Sequence, residues 1–496
     1  MARSLVRALF VVFLAAPSGG LWAQVIPVRT VPVASGDQYL LLPSASLAMG
    51  GVTLALDDSL ADAWENPALG TLVGTSTFLG SPTFYSISSG GGAGRSFPVA
   101  ALIRDGAWFG GMAFALQQID NGRERAGPAW RWIDDVVGPW PPPQELLSDR
   151  SSRNLYARGF VGLRLGSGPW SVGLGLSAAS LHAMDGVDLL YANAQGIDQH
   201  GTTGDVRVGL HRRTAQDRLS FLLLHDRVSM THDVTYVDVV WDTVSWQPHS
   251  VTRVEVNEDR SRTWGGQVAW DRSLAAPGWR MGLSATVNHK SHPKIPDYEI
   301  QNIPRDPGET WAWALGVGLS QTLEDTRFGV DIVFQPIWSD TWQEGDSALS
   351  PTQGPVTLPG GRTLENDFFF TNVVLRTGLS HAVGAASVQA GLEVRSYSYQ
   401  MKQHDHVEGT FRRQDEGWTE WTPSVGATLT FSSLELRYAG RLTTGTGQPG
   451  VSLPLTPDAA ARADALSDFI LAPRAPLTLR DATVITHQLS IRVPIG

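Results

Sequence analysis

The chain is predicted to be an all-β protein, a transmembrane antiparallel β-barrel of 14–16 strands with an N-terminal hatch or plug segment. Three features point there. Apolar residues alternate with small or polar ones over runs of roughly ten positions. Short turns alternate with long polar stretches, and tryptophans gather at the ends of the runs. Composition agrees: 17% of the 496 residues are charged, against roughly 25% in soluble chains, while glycine numbers 52 and tryptophan 18. The net charge of −10 leaves no basic stripe for nucleic acid. Without cysteine there are no disulfides, thiolate metal sites or cysteine nucleophiles.

Residues 1–23 read as a signal peptide. Arg3 and Arg7 supply the positive start, Ala8 to Ala16 the apolar stretch, and Leu21-Trp22-Ala23 the cleavage site before Gln24. That stretch is too short to cross about 30 Å of hydrocarbon as a helix, and nothing later is longer. Residues 24–70 do not alternate. They hold the apolar patch Tyr39-Leu40-Leu41-Leu42-Pro43 and the flexible pair Gly50-Gly51. Asp58 can cap a short helix to about Trp64, which Pro67 then stops. Too small to fold alone, this segment is expected to pack inside the barrel formed by residues 71–496.

The strands follow from about Thr75. Trp170 to Ser177 puts an apolar residue at every even position and a small one at every odd position, and Trp311 to Leu319 repeats the pattern on odd positions. Opposite faces carry Arg158 and Arg164, Arg207 and His211, Arg327 and Asp331, Glu393 and Arg395, and Glu435 and Arg437. Alternation alone also suits a soluble sandwich, so the connections decide. Tight turns at Arg104–Gly106, Gly166–Pro169, Ala215–Asp217, Ala275–Gly278, Glu324-Asp325, Val383–Ala385 and Ser432-Ser433 are separated by longer stretches. These are Asp120–Ser152, Met184–His200, Asp233–Ser250, Ser291–Gly308, Ser339–Glu365, His404–Gly417 and Thr444–Arg480. Outer-membrane barrels keep that asymmetry, with short turns periplasmic and long loops outside. Trp108, Trp170 and Trp279 follow turns, Trp270 precedes one, and Trp311, Trp338 and Trp421 lie near the other strand ends, as two interfacial girdles require. Seven turns plus a lone strand at each end make sixteen strands, from Thr75–Ser88 to Val484–Ile495; one miscounted hairpin makes fourteen. The last strand ends in Ile495-Gly496 and lacks a terminal aromatic.

Met49-Gly50-Gly51, Asp57-Asp58, Ala61 to Ala63 and Asn66-Pro67-Ala68 occur in the order and spacing found at the start of the outer-membrane fatty-acid transporter superfamily. Over about thirty residues the chain resembles that superfamily, FadL-like and including its PorV-like branch. The resemblance implies a fourteen-stranded barrel with a lumenal hatch, built here by Leu40, Leu41, Leu42, Met49, Gly50, Gly51, Asn66, Pro67 and Ala68. It implies passive diffusion of hydrophobic, fatty-acid-like compounds past the hatch and sideways through a kinked strand. Gly110-Gly111 could supply that kink, or simply room for a close-packed neighbour. The PorV-like alternative is a component of a protein secretion or surface-attachment system, with secretion proteins as partners. Otherwise the expected partners are outer-membrane lipid and a hydrophobic ligand.

No enzyme signature stands out, and no cofactor is expected. His404-Asp405-His406 with Glu408 has metal-ligating side chains but reads as loop solvation. Asp57, Asp58, Asp62 and Glu65 lack the spacing of a calcium loop. Gly90–Gly94 is not followed by Lys-Ser or Lys-Thr and reads as a hairpin loop. Trp130, Trp132 and Trp140, with the alanine-rich stretch Thr456–Leu471, could form an apolar mouth or pack as a lid.

Overall fold

A computed structural model describes residues 25–120, 151–185, 187, 196–242, 247–292, 307–345, 359–449 and 479–495. The proposed signal peptide, Gln24, Trp130, Trp132, Trp140 and the stretch Thr456–Leu471 lie outside the described residues.

Sixteen strands close into one antiparallel barrel. The first, β1, comes in two pieces, Thr77–Gly80 and Thr83–Ile87. Pro82 has no amide to donate, so the ladder lapses there, but register with both neighbours is the same on either side. Next come β2 (Gly92–Asp105), β3 (Trp108–Asp120), β4 (Ser151–Arg164), β5 (Trp170–Leu181), β6 (Gly196–Arg213), β7 (Asp217–Asp242) and β8 (Gln247–Ser273). The second half is β9 (Trp279–Ser291), β10 (Gly308–Leu323), β11 (Thr326–Glu344), β12 (Arg362–Val383), β13 (Ala386–Asp405), β14 (Thr410–Thr430), β15 (Glu435–Pro449) and β16 (Leu479–Pro494). Pairing of β16 with β1 closes the wall and leaves no free edge at the seam. Sixteen is two more than the resemblance implies.

Side-chain direction separates a membrane barrel from a soluble sandwich. In β10, Trp311, Leu315, Val317 and Leu319 are 46%, 47%, 46% and 38% exposed, while Ala312, Gly316, Gly318 and Ser320 face inward and are buried. The greasy face is thus the outer one. Water would penalise such a belt by roughly 25 cal/mol for each Å² of apolar surface, whereas lipid accepts it. Trp108, Trp264, Trp338 and Trp421 stand outward as girdle residues. A closed, even-stranded barrel with this belt is an outer-membrane barrel. No helix among the described residues is long and apolar enough to cross a membrane.

Several strands run far beyond the expected ten or so residues. β7 and β8 have 26 and 27 residues, and their ladder continues through Asp233–Ser250, which reads as a loop in the sequence. The stretch His404–Gly417 is likewise mostly hairpin, with its turn at residues 406–409. Backbone pairing does not depend on regular alternation of side chains, so both ribbons continue on the long-loop side past the rows of Trp264 and Trp421.

Candidate functional site: a plugged lumen with an apolar chamber

Residues 25–73 lie inside the barrel. Small inward residues make a bed for the plug: an added Cβ at Gly282 would come within 1.9 Å of the Leu54 carbonyl oxygen, and at Gly391 within 2.1 Å of the Gly50 nitrogen. The plug backbone therefore rests directly on the wall. Gly50 and Gly51, at φ 70° and 76°, make the turn that brings it there. Asp331 of β11 accepts from the Thr53 and Leu54 amides at 2.7 and 3.1 Å, and Ser320 donates to the Ala55 carbonyl at 2.7 Å. Asp57 pairs with Arg218 on β7.

Asp58 does not cap the helix directly, as its sequence position suggests. The helix is only Asp62–Glu65, with Ala61 at its start, and Asp58 organises the turn one step earlier. Asn66 accepts from the Ala68 amide at 3.1 Å and donates to the Phe221 carbonyl at 3.1 Å. Pro67 fits against Gly173, and Ser171 donates to the Ala68 carbonyl at 3.0 Å. Arg207, paired with Asp205, donates to the Glu65 carbonyl at 3.0 Å. The Asn-Pro-Ala turn is thus fastened to β5, β6 and β7. Gln38, which no sequence motif marks, receives the Asp185 amide at 2.9 Å and donates to the Ala183 carbonyl at 3.1 Å.

Leu40, Leu41 and Leu42 are all buried. Leu41 packs with Tyr156, Leu181 and Met230, and Leu42 with Leu60, Trp64 and Phe160. Beside Leu41 and Leu42 lies a cavity of about 30 Å³ walled by Pro98, Ala113 and Tyr156, room for about one water. Gly110 and Gly111 lie in an unbroken β3 ladder. Gly111 makes room for Trp64 and Phe160, whose rings meet edge to face at 5.0 Å.

A separate apolar cluster lies higher, toward the long loops, and forms a chamber filled by the plug. Ala312, Ala314, Ile337, Phe368, Phe370, Tyr399 and Met401 point inward there and surround Ile26 and Val28 of the plug. The Phe370 and Tyr399 rings are 5.3 Å apart, and Phe368 lies 5.7 Å from Phe370. Polar side chains rim the chamber above: Thr310 with Ser339 at 2.7 Å and Gln403 with Asn366 at 2.8 Å. Below, Glu393 holds Arg376 at 2.7 Å and Arg395 at 3.0 Å. A visible signal marks this chamber. In a strand, Phe368-Phe369-Phe370 cannot all face lipid, and two of the three face the lumen.

The plug also covers a break in the wall. Ladder pairing of β14 with β15 stops at Trp421 and Thr444, although β14 extends back to Thr410. Beyond that point β15 pairs with the plug: Ala34 donates to the Gly447 carbonyl at 2.8 Å and Gly447 to the Pro32 carbonyl at 2.6 Å. Arg29 reaches the other side, at 2.8 Å from Glu420.

His406 contacts Glu365 at 3.0 Å and His404 packs on Phe411; among the described residues no group of acids and histidines could hold a metal ion. Burial, reinforced by the Asp58 and Glu65 carboxylates, holds the Asp62 carboxyl well above the usual carboxylate range. Glu65 shifts the same way through burial, offset in part by Arg207 and Arg158. A raised carboxyl favours the folded plug while protonated, and that advantage is lost as pH rises through the raised value. Asp62→Asn keeps an oxygen for the Asp58 amide, which Asp62 accepts at 2.9 Å, and removes the repulsion. The variant is expected to melt higher than the parent at neutral pH, with the gap closing toward about pH 4. Thermal midpoints across that range check it; a gap that widens in acid refutes it.

No family model matches the sequence, and no curated protein matches it. Several solved structures follow a similar course. The Pseudomonas putida toluene transporter TodX shares 11% identity, with 94% of this chain and 100% of that one covered, at a TM-score of 0.39. The ferric-catecholate import receptor Fiu of E. coli K12 shares 9%, with 84% and 82% covered, at 0.36. CdiB from Acinetobacter baumannii shares 9% at 0.38, and this chain, 84% covered, spans 60% of its length. Scores this low add nothing to the barrel's own geometry, which makes the chain a sixteen-stranded outer-membrane β-barrel with residues 25–73 in its lumen.

Proposed function

We propose that the protein is a passive outer-membrane channel for hydrophobic, fatty-acid-like small molecules, gated by residues 25–73. One observation carries this reading: the aromatic cluster of Phe368, Phe370 and Tyr399 faces the lumen just below a polar rim on the long-loop side, and the chain fills it with its own Ile26 and Val28. A buried apolar space on a transport path has use only for an apolar occupant. A ligand entering from the long-loop side displaces Ile26 and Val28, and the strand-like contacts at Gly447 then release. The uncovered break between β14 and β15 gives such a compound a lateral way out. No covalent step is involved.

Binding of a fluorescent fatty acid to the detergent-purified barrel tests the chamber. Phe370→Asp is expected to abolish the signal. Ile26→Gly with Val28→Gly removes the internal competitor, and binding should tighten about tenfold or more, since each side chain contributes roughly 1.5–3 kcal/mol of burial. Parent-like affinity in Phe370→Asp would overturn the proposal.

A further inference from the structure

Two arginines face each other on the outer wall with no acid between them. Arg227 of β7 and Arg262 of β8 are cross-strand partners, and both side chains are exposed in the outward-pointing row. Like charges placed directly opposite in a ladder repel. Three other outer-face arginines hold a partner: Arg95 binds Gln118, Arg260 binds Glu258, and Arg413 binds Asp415. Among the described residues, neither Arg227 nor Arg262 has a side-chain hydrogen bond or ion pair. The nearby outward carboxylates are engaged elsewhere, Glu258 with Arg260 at 2.8 Å and Glu309 with His289 at 3.5 Å. To either side the ladder places Gly204 and Ser291, so no bulky neighbour covers the pair.

Depth supplies the second argument. The next outward row toward the turns holds His225, Trp264 and His289, with the His225 and Trp264 rings stacked at 4.1 Å. Below that come Val208, Leu223 and Val287, facing lipid. An aromatic row followed by a basic row is the order met on leaving hydrocarbon for headgroups. The arginines therefore stand at phosphate depth in the leaflet on the long-loop side.

We propose that Arg227 and Arg262 clamp a phosphate on a lipid headgroup of the outer leaflet, with the acyl chains lying over Trp264 and Leu223. Guanidinium forks suit phosphate oxygens, and one such anion relieves the repulsion between both arginines. Native mass spectrometry of the full barrel in neutral detergent tests it, with lipid A and with lipid A stripped of its phosphates as probes. The parent should retain lipid A. Arg227→Gln and Arg262→Gln should each weaken retention about fivefold, and the double variant about thirtyfold, at about 1 kcal/mol per basic residue near a lipid surface. Arg260→Gln should change nothing. Both residues are exposed, and the heat-modifiable gel shift of the folded barrel controls for folding. Equal retention by the double variant, equal retention of the stripped lipid, or displacement by equimolar inorganic phosphate would each overturn the clamp.

Discussion

Alanine at Gly282, Gly378 and Gly391 is expected to unseat the plug while leaving the barrel standing, so that a silent protein gives resolved conductance steps in a planar bilayer. Each new methyl would land on plug backbone: 1.9 Å from the Leu54 oxygen, 2.2 Å from the Met49 oxygen and 2.1 Å from the Gly50 nitrogen. Backbone atoms cannot swing aside as a side-chain tip can. Residues 49–55 would have to retreat by more than about 1 Å at three points to restore van der Waals separation. Retreat breaks the hydrogen bonds to Asp331, Ser320 and Ser424 that hold the segment. The wall loses nothing, because its ladder bonds pass through backbone and alanine fits a strand as readily as glycine does. Gly266→Ala is the control: it lies on the outer face, and its nearest neighbour would be 3.8 Å away. A triple variant as silent as the parent would show that the plug does not depend on this bed.

Those same glycines show how far the sequence could be read. Alternation around Gly173 and Gly316 identifies small inward faces, and the turns fix the strand number, because both signals are local. What rests on each glycine is not local. Gly209 receives Asn66 and Gly391 receives Met49 and Gly50, contacts that span well over a hundred residues and leave no periodicity behind. Met49-Gly50-Gly51 and Asn66-Pro67-Ala68 stand out only because their residue types restrict or free the backbone. Strand length was hidden for another reason: the sequence from Asp233 breaks the two-residue alternation, with Val239-Val240-Trp241 in a row, yet Asp233 still pairs with Val256. The chamber had its signal in three consecutive phenylalanines, which a two-residue period cannot send to one side.

Asp58→Ala is expected to loosen the plug more than any other single change to an acidic residue within it. One carboxylate, 1% exposed, gathers donors from two separate stretches: the Ser44 hydroxyl at 2.5 Å, the amides of Ala45 and Ser46 at 2.7 and 3.3 Å, and those of Leu60 and Ala61 at 3.1 and 3.2 Å. It thereby ties the base of the loop that carries Met49 to Asp57 onto the wall. Removing it leaves buried donors without an acceptor, at a cost of about 3–5 kcal/mol. Asparagine rescues little, because its NH2 group would face the Ala45 and Ser46 amides, donor against donor. Hydrogen exchange at residues 45, 46, 60 and 61 reads this directly, with protection falling in both variants and the barrel strands unaffected. High salt should weaken the half-exposed Asp57–Arg218 contact and leave the Asp58 amides protected, because Asp58 is held by oriented N–H groups, which mobile ions do not screen at contact distance. Full protection of those four amides in Asp58→Ala would mean that the loop is held by the wall alone.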